Sequence, residues 1–200
     1  PILALEPSVE MAAVAARKCQ AFPMVHIEVS NFEEWPLQRD AFDLVFSAQA
    51  WHWVDPAVRW QRAAAALVSG GTIALFWHRT AWSDEVIRED LDQIYRRSAP
   101  QLRERNPGFP GLDRAGRRER FRHLVEEMLD GRLFEDPVER IHPWAARFTA
   151  QTFTELLLSQ SDHRLLPEGQ RGTLFAAIEE LIAARGGTVT VPHHTWLVMA

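Results

Sequence analysis

Apolar residues in this chain fall into short runs separated by segments of helical length, and that alternation predicts an α/β architecture. Ile2 to Leu5 is a four-residue apolar run, ended by Glu6-Pro7-Ser8. Val9 to Lys18 follows as a helix with Ser8 as its cap, because a hydroxyl there can satisfy free first-turn amides. Met24 to Val29 is the next strand. Phe42 to Phe46 is near-continuously apolar, which predicts a strand buried on both faces. Asp55-Pro56 opens a helix, Gly70-Gly71 ends it, and Thr72 to Trp77 forms another strand. Strand, helix, strand at this spacing is a right-handed crossover in a parallel sheet. Such sheets bind ligands beyond the carboxyl ends of their strands. Here that edge carries Ser47, Ala48, Gln49, Trp51, His52 and Trp53.

The second half is more helical. Ser83-Asp84 caps a helix running to about Ser98, Pro100 to Gly111 has loop composition, and Arg114 to Asp130 is a further helix. The basic run Arg114, Arg117, Arg118, Arg120 and Arg122 has a plain reading as a solvated face answering Glu119, Glu126 and Glu127. The other reading is a grip for phosphate or carboxylate. Leu133 to Trp144 contains Pro137 and Pro143 and predicts an irregular or edge strand. Thr152 to Leu158 and Pro167 to Arg185 are helices. Thr188 to Met199 is the last strand, interrupted near Pro192.

Particular residues then suggest chemistry. A carboxylate at the tip of a buried strand can accept hydrogen bonds from both hydroxyls of a ribose, and such charge-assisted bonds are the stronger kind. Glu6 has that position; it could equally be a solvated acid in a turn. His52 lies between Trp51 and Trp53. It could take a proton from a substrate hydroxyl or carboxyl, its pKa being near neutrality, or be a packed histidine donating one bond. Trp51 and Trp53 could line a pocket, since an aromatic face attracts a sulfonium as it does an ammonium, or belong to the core. His193 and His194 are adjacent and so face opposite ways on a strand. With no Cys-x-x-Cys pattern, no metal site is predicted.

Phe42 to Trp77 resembles the fourth and fifth strands of class I S-adenosylmethionine-dependent methyltransferases. The similarity is greatest to the small-molecule branch whose fourth strand ends in a pattern like Ala48-Gln49-Ala50-Trp51-His52-Trp53. The Gly-Gly before a strand matches that family's Pro-Gly-Gly turn, with Ser69 in place of Pro. Leu5-Glu6-Pro7-Ser8, with Met11 one turn on, resembles the segment after the family's second strand, where an acid holds the ribose. Ser30 to Leu37 resembles Gly-Asp-Ala-Glu-x-Leu-Pro-Phe, with Asn31 where the family has Asp and Phe32 where it has Ala. The resemblance implies a Rossmann-like, doubly wound, mostly parallel sheet and S-adenosylmethionine as cofactor. It implies Glu6, Pro7, Ser8, Met11, Asn31, Phe32, Ser47, Ala48, Gln49 and Trp53 around that cofactor. Trp51, His52, Trp77 and His78 then line the substrate pocket, with His52 as the candidate base. The segment 83–130 becomes a helical lid inserted after the fifth strand. Relatives of this kind include enzymes acting on carboxylates such as trans-aconitate.

The family's first strand and its Gly-x-Gly-x-Gly loop would precede Glu6, and neither is in the sequence. By the family order 3-2-1-4-5-7-6 that strand lies between Ile2–Leu5 and Phe42–Phe46. The expectation is one incomplete methyltransferase domain over 1–200, truncated at its N-terminus, with its sheet in two blocks.

Composition narrows the alternatives. Two hundred residues, 46% of them hydrophobic, can bury one sizeable core. A net charge of −5 and a pI near 5.9 argue against a general nucleic-acid binder. No apolar run approaches the ~18 residues of a membrane span, and the single Cys19 allows no internal disulfide, which fits a reducing cytoplasm. Three functions remain in view: methyl transfer to an oxygen, nitrogen or carbon of a small molecule; a non-catalytic remnant without its cofactor loop; and a nicotinamide-dependent oxidoreductase. An acid after the second strand also suits the last, but no Tyr-x-x-x-Lys pair exists, Tyr95 being the only tyrosine.

Overall fold

A computed structural model describes residues 1–82, 84–105, 114–130 and 132–200. In chain order the elements are β1 (Ile2–Leu5), α1 (Val9–Lys18), β2 (Val25–Glu28) and β3 (Phe42–Ala48), then a 3-10 turn (Trp51–Trp53) and α2 (Arg59–Ala66). β4 (Leu67–Thr80), α3 (Glu85–Ser98), α4 (Pro100–Arg105), α5 (Arg114–Asp130) and β5 (Val138–Thr149) follow. The chain closes with α6 (Ala150–Leu158), α7 (Ser161–Arg164), α8 (Glu168–Ala184) and β6 (Thr188–Met199). Among the described residues the strands form two blocks, β1-β2 and β3-β4-β6-β5. The second is the expected family sequence of strands 4-5-7-6. β1 and β2 are parallel, with Leu5 opposite Glu28. The chain enters β3 and β4 in the same direction, the Asp40 and Ala41 amides donating to the Ala65 and Ala66 carbonyls at 3.1 and 3.0 Å. β6 returns antiparallel to β4: Ile73 and Ala200 exchange both backbone bonds, and further along the Ala81 amide donates to Pro192 at 2.7 Å.

The chain divides into two compact units. One comprises Pro1–Leu75, Glu127–Val138 and Val198–Ala200, the other Phe76–Glu126 and Glu139–Leu197. In the first, α1 forms as its residues dictate: the Ser8 hydroxyl accepts from the Met11 amide at 3.2 Å. α2 buries Arg59, Trp60, Ala63 and Ala66, a helical i, i+3/i+4 face. In the second, α3, α6 and α8 pack Leu91, Tyr95, Phe153, Leu174 and Ile178 with Val189 and Val191 of β6. Asp84 caps α3, its carboxylate accepting from the Val86 and Ile87 amides. Thr149 and Thr152 form a reciprocal capping box on α6. One polar chain crosses this core. The Tyr95 hydroxyl meets His163 Nε2 at 2.6 Å, and His163 Nδ1 meets Asp162 at 2.8 Å. Burial, and then the Asp162 charge, hold the Tyr95 pKa well above its usual value, so it stays a neutral hydroxyl.

Several expectations are corrected. β3 is not buried on both faces: Leu44 and Phe46 are each 49% exposed. β3 pairs only with β4 among the described strands, so composition alone could not enclose it. The helix after Asp55-Pro56 begins later, at Arg59. Asp55 to Val58 form a turn, the Asp55 carboxylate accepting from Ala57 at 2.8 Å. That helix ends at Ala66, because buried Leu67 already has extended backbone. Gly70-Gly71 therefore lies inside β4, where Gly70 takes a φ of +78° that other residues rarely adopt. Pro100 begins a short helix rather than a loop, being tolerated in a first turn; residues 106–113 of that predicted loop lie outside the described residues. β6 is continuous through Pro192, which accepts the Ala81 bond and only lacks an N–H to return. Ser83 and the side chains of Arg114, Arg117, Arg118 and Arg120 lie outside the described residues, while Arg122 pairs with Glu126 at 3.3 Å.

Replacing Tyr95 by Phe should remove the hydroxyl that meets His163 and leave a buried ring nitrogen poorer by one bond. The expected loss is about 1–2 kcal/mol in urea unfolding with an unchanged slope; a midpoint equal to wild type would refute it.

Candidate functional site

The first compact unit gathers most of the residues that the sequence singles out. Glu6 follows β1, its amide donating to the Glu28 carbonyl at 3.1 Å. Its half-buried carboxylate accepts from the Ser8 amide at 2.9 Å, one of the free donors at the start of α1. The side chain is thereby held at the strand tip, which is what a hydroxyl-binding acid needs. Pro7 is exposed and completes the turn, and Ser8 is committed to the cap. Met11 is 58% exposed, so its thioether is on the surface of α1 and not in the core.

After β2, the Asn31 side-chain oxygen accepts from the Glu34 amide at 2.7 Å. An adenine amino group could use only its second lone pair. Phe32, the departure from the family's Ala, has a packing role. It lies 5.6 Å from Trp51, the Arg62 guanidinium stands 5.7 Å over its ring, and its carbonyl accepts from Arg62 Nε at 2.9 Å. At the end of β3, Ser47 is half-buried and Ala48 exposed, and Gln49 adopts a φ of +59° that turns the chain into the 3-10 segment. Within Trp51–Trp53 the three aromatic residues part. Trp51 is 2% exposed and its indole N–H has no hydrogen-bond partner among the described residues. Trp53 is 79% exposed, and His52 is exposed beside it at 4.9 Å. The packed-histidine reading of His52 is therefore not what the structure shows.

Trp77 and His78 belong to the second unit. Trp77 is buried in the core against Trp196, with centroids 5.6 Å apart, so its ring faces no open surface. His78 is exposed and meets Trp144 and His193 edge-on. Burial, then the Arg79 charge, lowers its pKa.

Sequence reasoning missed the roles of three side chains, His193, Arg59 and Glu127. His193 is 6% exposed, stacked on Trp144 at 4.2 Å, and neither ring nitrogen has a partner among the described residues. Burial, then the neighbouring His78, pushes its pKa down to about 4. Arg59 is 3% exposed and ion-paired to Glu127, whose carboxylate also accepts from Trp60 Nε1 at 3.1 Å. No local spacing announces that pair, because Arg59 and Glu127 are 68 positions apart. An open groove of about 340 Å³ is lined by Glu33, Arg39, Asp55, Arg62 and neighbours, and includes none of the sequence-selected residues. Among the described residues no group of three or more His, Cys, Asp or Glu could hold a metal, and no helix is long and apolar enough to cross a membrane.

A family profile described as a methyltransferase domain matches residues 1–75. An uncharacterized methyltransferase of Mycobacterium tuberculosis is 35% identical over 212 aligned residues, covering all of this chain and 73% of the relative. One of Mycobacterium bovis matches equally. Among solved structures, a candidate type II methyltransferase from Anaeromyxobacter dehalogenans superposes with a TM-score of 0.61 at 20% identity, over 100% of this chain and 78% of that one. The YcgJ protein of Bacillus subtilis gives 0.51 at 15% identity, over 98% and 80%. These structural likenesses bear out the Rossmann-like fold.

The lowered pKa of His193 predicts an acid-sensitive second unit. Unfolded, its imidazole binds a proton near pH 6.5; folded, only near 4. Its contribution is fully present above about 6.5 and is lost as pH falls toward 4. Wild type should lose more stability between pH 7 and 4.5 than His193→Phe, measured by urea unfolding; parallel losses would count against this.

Proposed function

Because this chain belongs to the class I S-adenosylmethionine-dependent methyltransferases, we propose that it binds S-adenosylmethionine and moves its methyl group to an oxygen, nitrogen or carbon of a small molecule. The observation that carries the reading is Glu6: a half-buried carboxylate at the carboxyl tip of β1, pinned by the Ser8 amide. One oxygen is fixed by the α1 terminus, so the side chain is oriented before any ligand arrives. A ribose, with two adjacent hydroxyls to donate, matches such an acceptor. The exposed Met11 on the next helix offers a polarizable surface to a flat base. Asn31, Phe32, Ser47, Ala48, Gln49 and Trp53 complete the residues assigned to the cofactor side.

When bound, S-adenosylmethionine supplies an activated methyl group on a sulfonium. The chain's own contribution is alignment and exclusion of water. A base is needed only if the acceptor arrives protonated. His52, exposed on the 3-10 turn, is the residue proposed to take that proton. No fixed triad is required. Segment 83–130 is proposed as the substrate-recognising lid. Family membership favours methyl transfer over hydride transfer. The remnant reading predicts a folded chain that takes no cofactor.

Calorimetry with S-adenosylhomocysteine decides between these. Wild type should bind it. Glu6→Ala should weaken binding by about ten- to a hundredfold, the worth of charge-assisted hydrogen bonds. A chain that unfolds cooperatively yet takes up no S-adenosylhomocysteine would overturn the proposal and leave the remnant reading in front.

A further inference from the structure

Four aromatic rings of the first unit stand in a row. Phe32 lies 5.6 Å from Trp51, Trp51 5.4 Å from Trp60, and Trp60 6.2 Å from Phe134. One end of this row is the loop after β2, where Phe32 follows Asn31. The middle is the 3-10 turn at the end of β3. The row has two cations on it: Arg62 over Phe32 and Arg59 over Trp60, the latter at 5.4 Å. Arg62 is tied to its ring's own loop through the Phe32 and Trp35 carbonyls. Arg59 has a weaker hold on the backbone, a 3.4 Å bond to the Val54 carbonyl just after the turn.

What fixes Arg59 is Glu127. A single carboxylate oxygen accepts both from the Arg59 guanidinium and from the Trp60 indole. Arg59 is almost wholly buried, and a buried charge without its partner is costly enough to leave the site. Trp60 would lose its indole partner in the same event. Trp51 is in contact with Trp60 and has no hydrogen bond of its own through its indole among the described residues, so packing alone holds its ring. The same holds one step on for the Phe32 ring, between Trp51 and Arg62.

We propose that Glu127 is a positioning residue for the cofactor side of the site. Through Arg59 and Trp60 it holds Trp51 and Phe32, and so the two loops assigned to the cofactor, without touching either ligand. The inference rests on the methyl-transfer reading for its functional consequence, but its physical core is the row itself. Neither Glu127 nor Trp60 is among the residues assigned to cofactor or acceptor.

The test uses the full chain in four forms: wild type, Glu127→Gln, Trp60→Phe and the double variant. Trp60→Phe keeps a six-membered ring in the row while removing the indole donor together with the five-membered ring that carries it, so it remains informative if Glu127→Gln unfolds. The first readout is hydrogen exchange of the Trp51 indole N–H in the ligand-free chain, with buried Trp35 as internal reference. Exchange at Trp51 should quicken in both single variants and stay unchanged at Trp35. The second is the dissociation constant for S-adenosylhomocysteine. Each single variant should weaken it about five- to tenfold, and the double variant should be no worse than the poorer single, because both break one link. Unchanged Trp51 exchange, or quickening shared equally by Trp35, overturns the proposal. So does an affinity within twofold of wild type, or independent, additive effects. If wild type itself binds no S-adenosylhomocysteine, the functional reading of the preceding section fails, and Trp51 exchange alone decides whether Glu127 holds the row.

Discussion

The antiparallel return of β6 is the constraint on which most of this chain depends. A strand placed between β4 and β5 must satisfy backbone groups on both of its edges, which fixes its register more tightly than that of any edge strand. The reciprocal bonds of Ile73 and Ala200 set that register at one end, and the Ala81–Pro192 bond maintains it at the other. Trp77 then stands opposite Trp196, and the pair fills core space that smaller residues would leave empty. Val189 and Val191 present the face on which α3, α6 and α8 are packed. Once those helices are placed, Tyr95 and His163 are left inside with polar atoms to satisfy, and they satisfy each other.

The same logic makes the site legible in a different currency. Among the residues proposed for the cofactor, the important atoms are at element ends, where backbone groups run out of partners. Glu6 is oriented by an orphan amide of α1, and Asn31 by the amide of its own turn. These are local contacts, within three residues. They were not read from the sequence, which left Glu6 as either a ribose acid or a solvated acid and saw Asn31 only as an acceptor. The Ser8 cap and the bounds of β1 and α1 were legible, because they follow from local residue type and spacing.

Burial was not legible to the same degree, because it depends on what stands opposite. Phe42 to Phe46 has the composition of a strand enclosed on both faces, yet Leu44 and Phe46 are half exposed. Leu67 left its helix early because the sheet captured it, and nothing in the alanine run before it announces a stop. Arg59 is the sharpest case. A charged residue next to a tryptophan at the start of an alanine-rich helix has every mark of a surface position. Its burial requires a carboxylate delivered from far along the chain, and no pattern of local spacing reports such a partner. His193 escaped for a related reason: the period-two rule correctly put it opposite His194, but only the stack on Trp144 shows which of the two is enclosed.

That division bears on how such a site works. Methyl transfer asks little of a side chain beyond position, so a charge placed at the reacting atoms would contribute less than rigidity around them. Rigid placement is expensive at a strand end, where each loop has only a few bonds of its own. The Phe32 carbonyl is held by Arg62, but the Trp51 indole has no hydrogen bond among the described residues; what keeps that ring in place has to come from behind. An ion pair with one member buried, as Arg59 is while the Glu127 side chain is 39% exposed, is poorly suited to adding stability, since desolvating the buried charge offsets much of the attraction. It is well suited to choosing one arrangement over others, because any displacement strands a charge. The Arg59–Glu127 pair holds Trp60, which packs on Trp51, and that is where such a device has most effect.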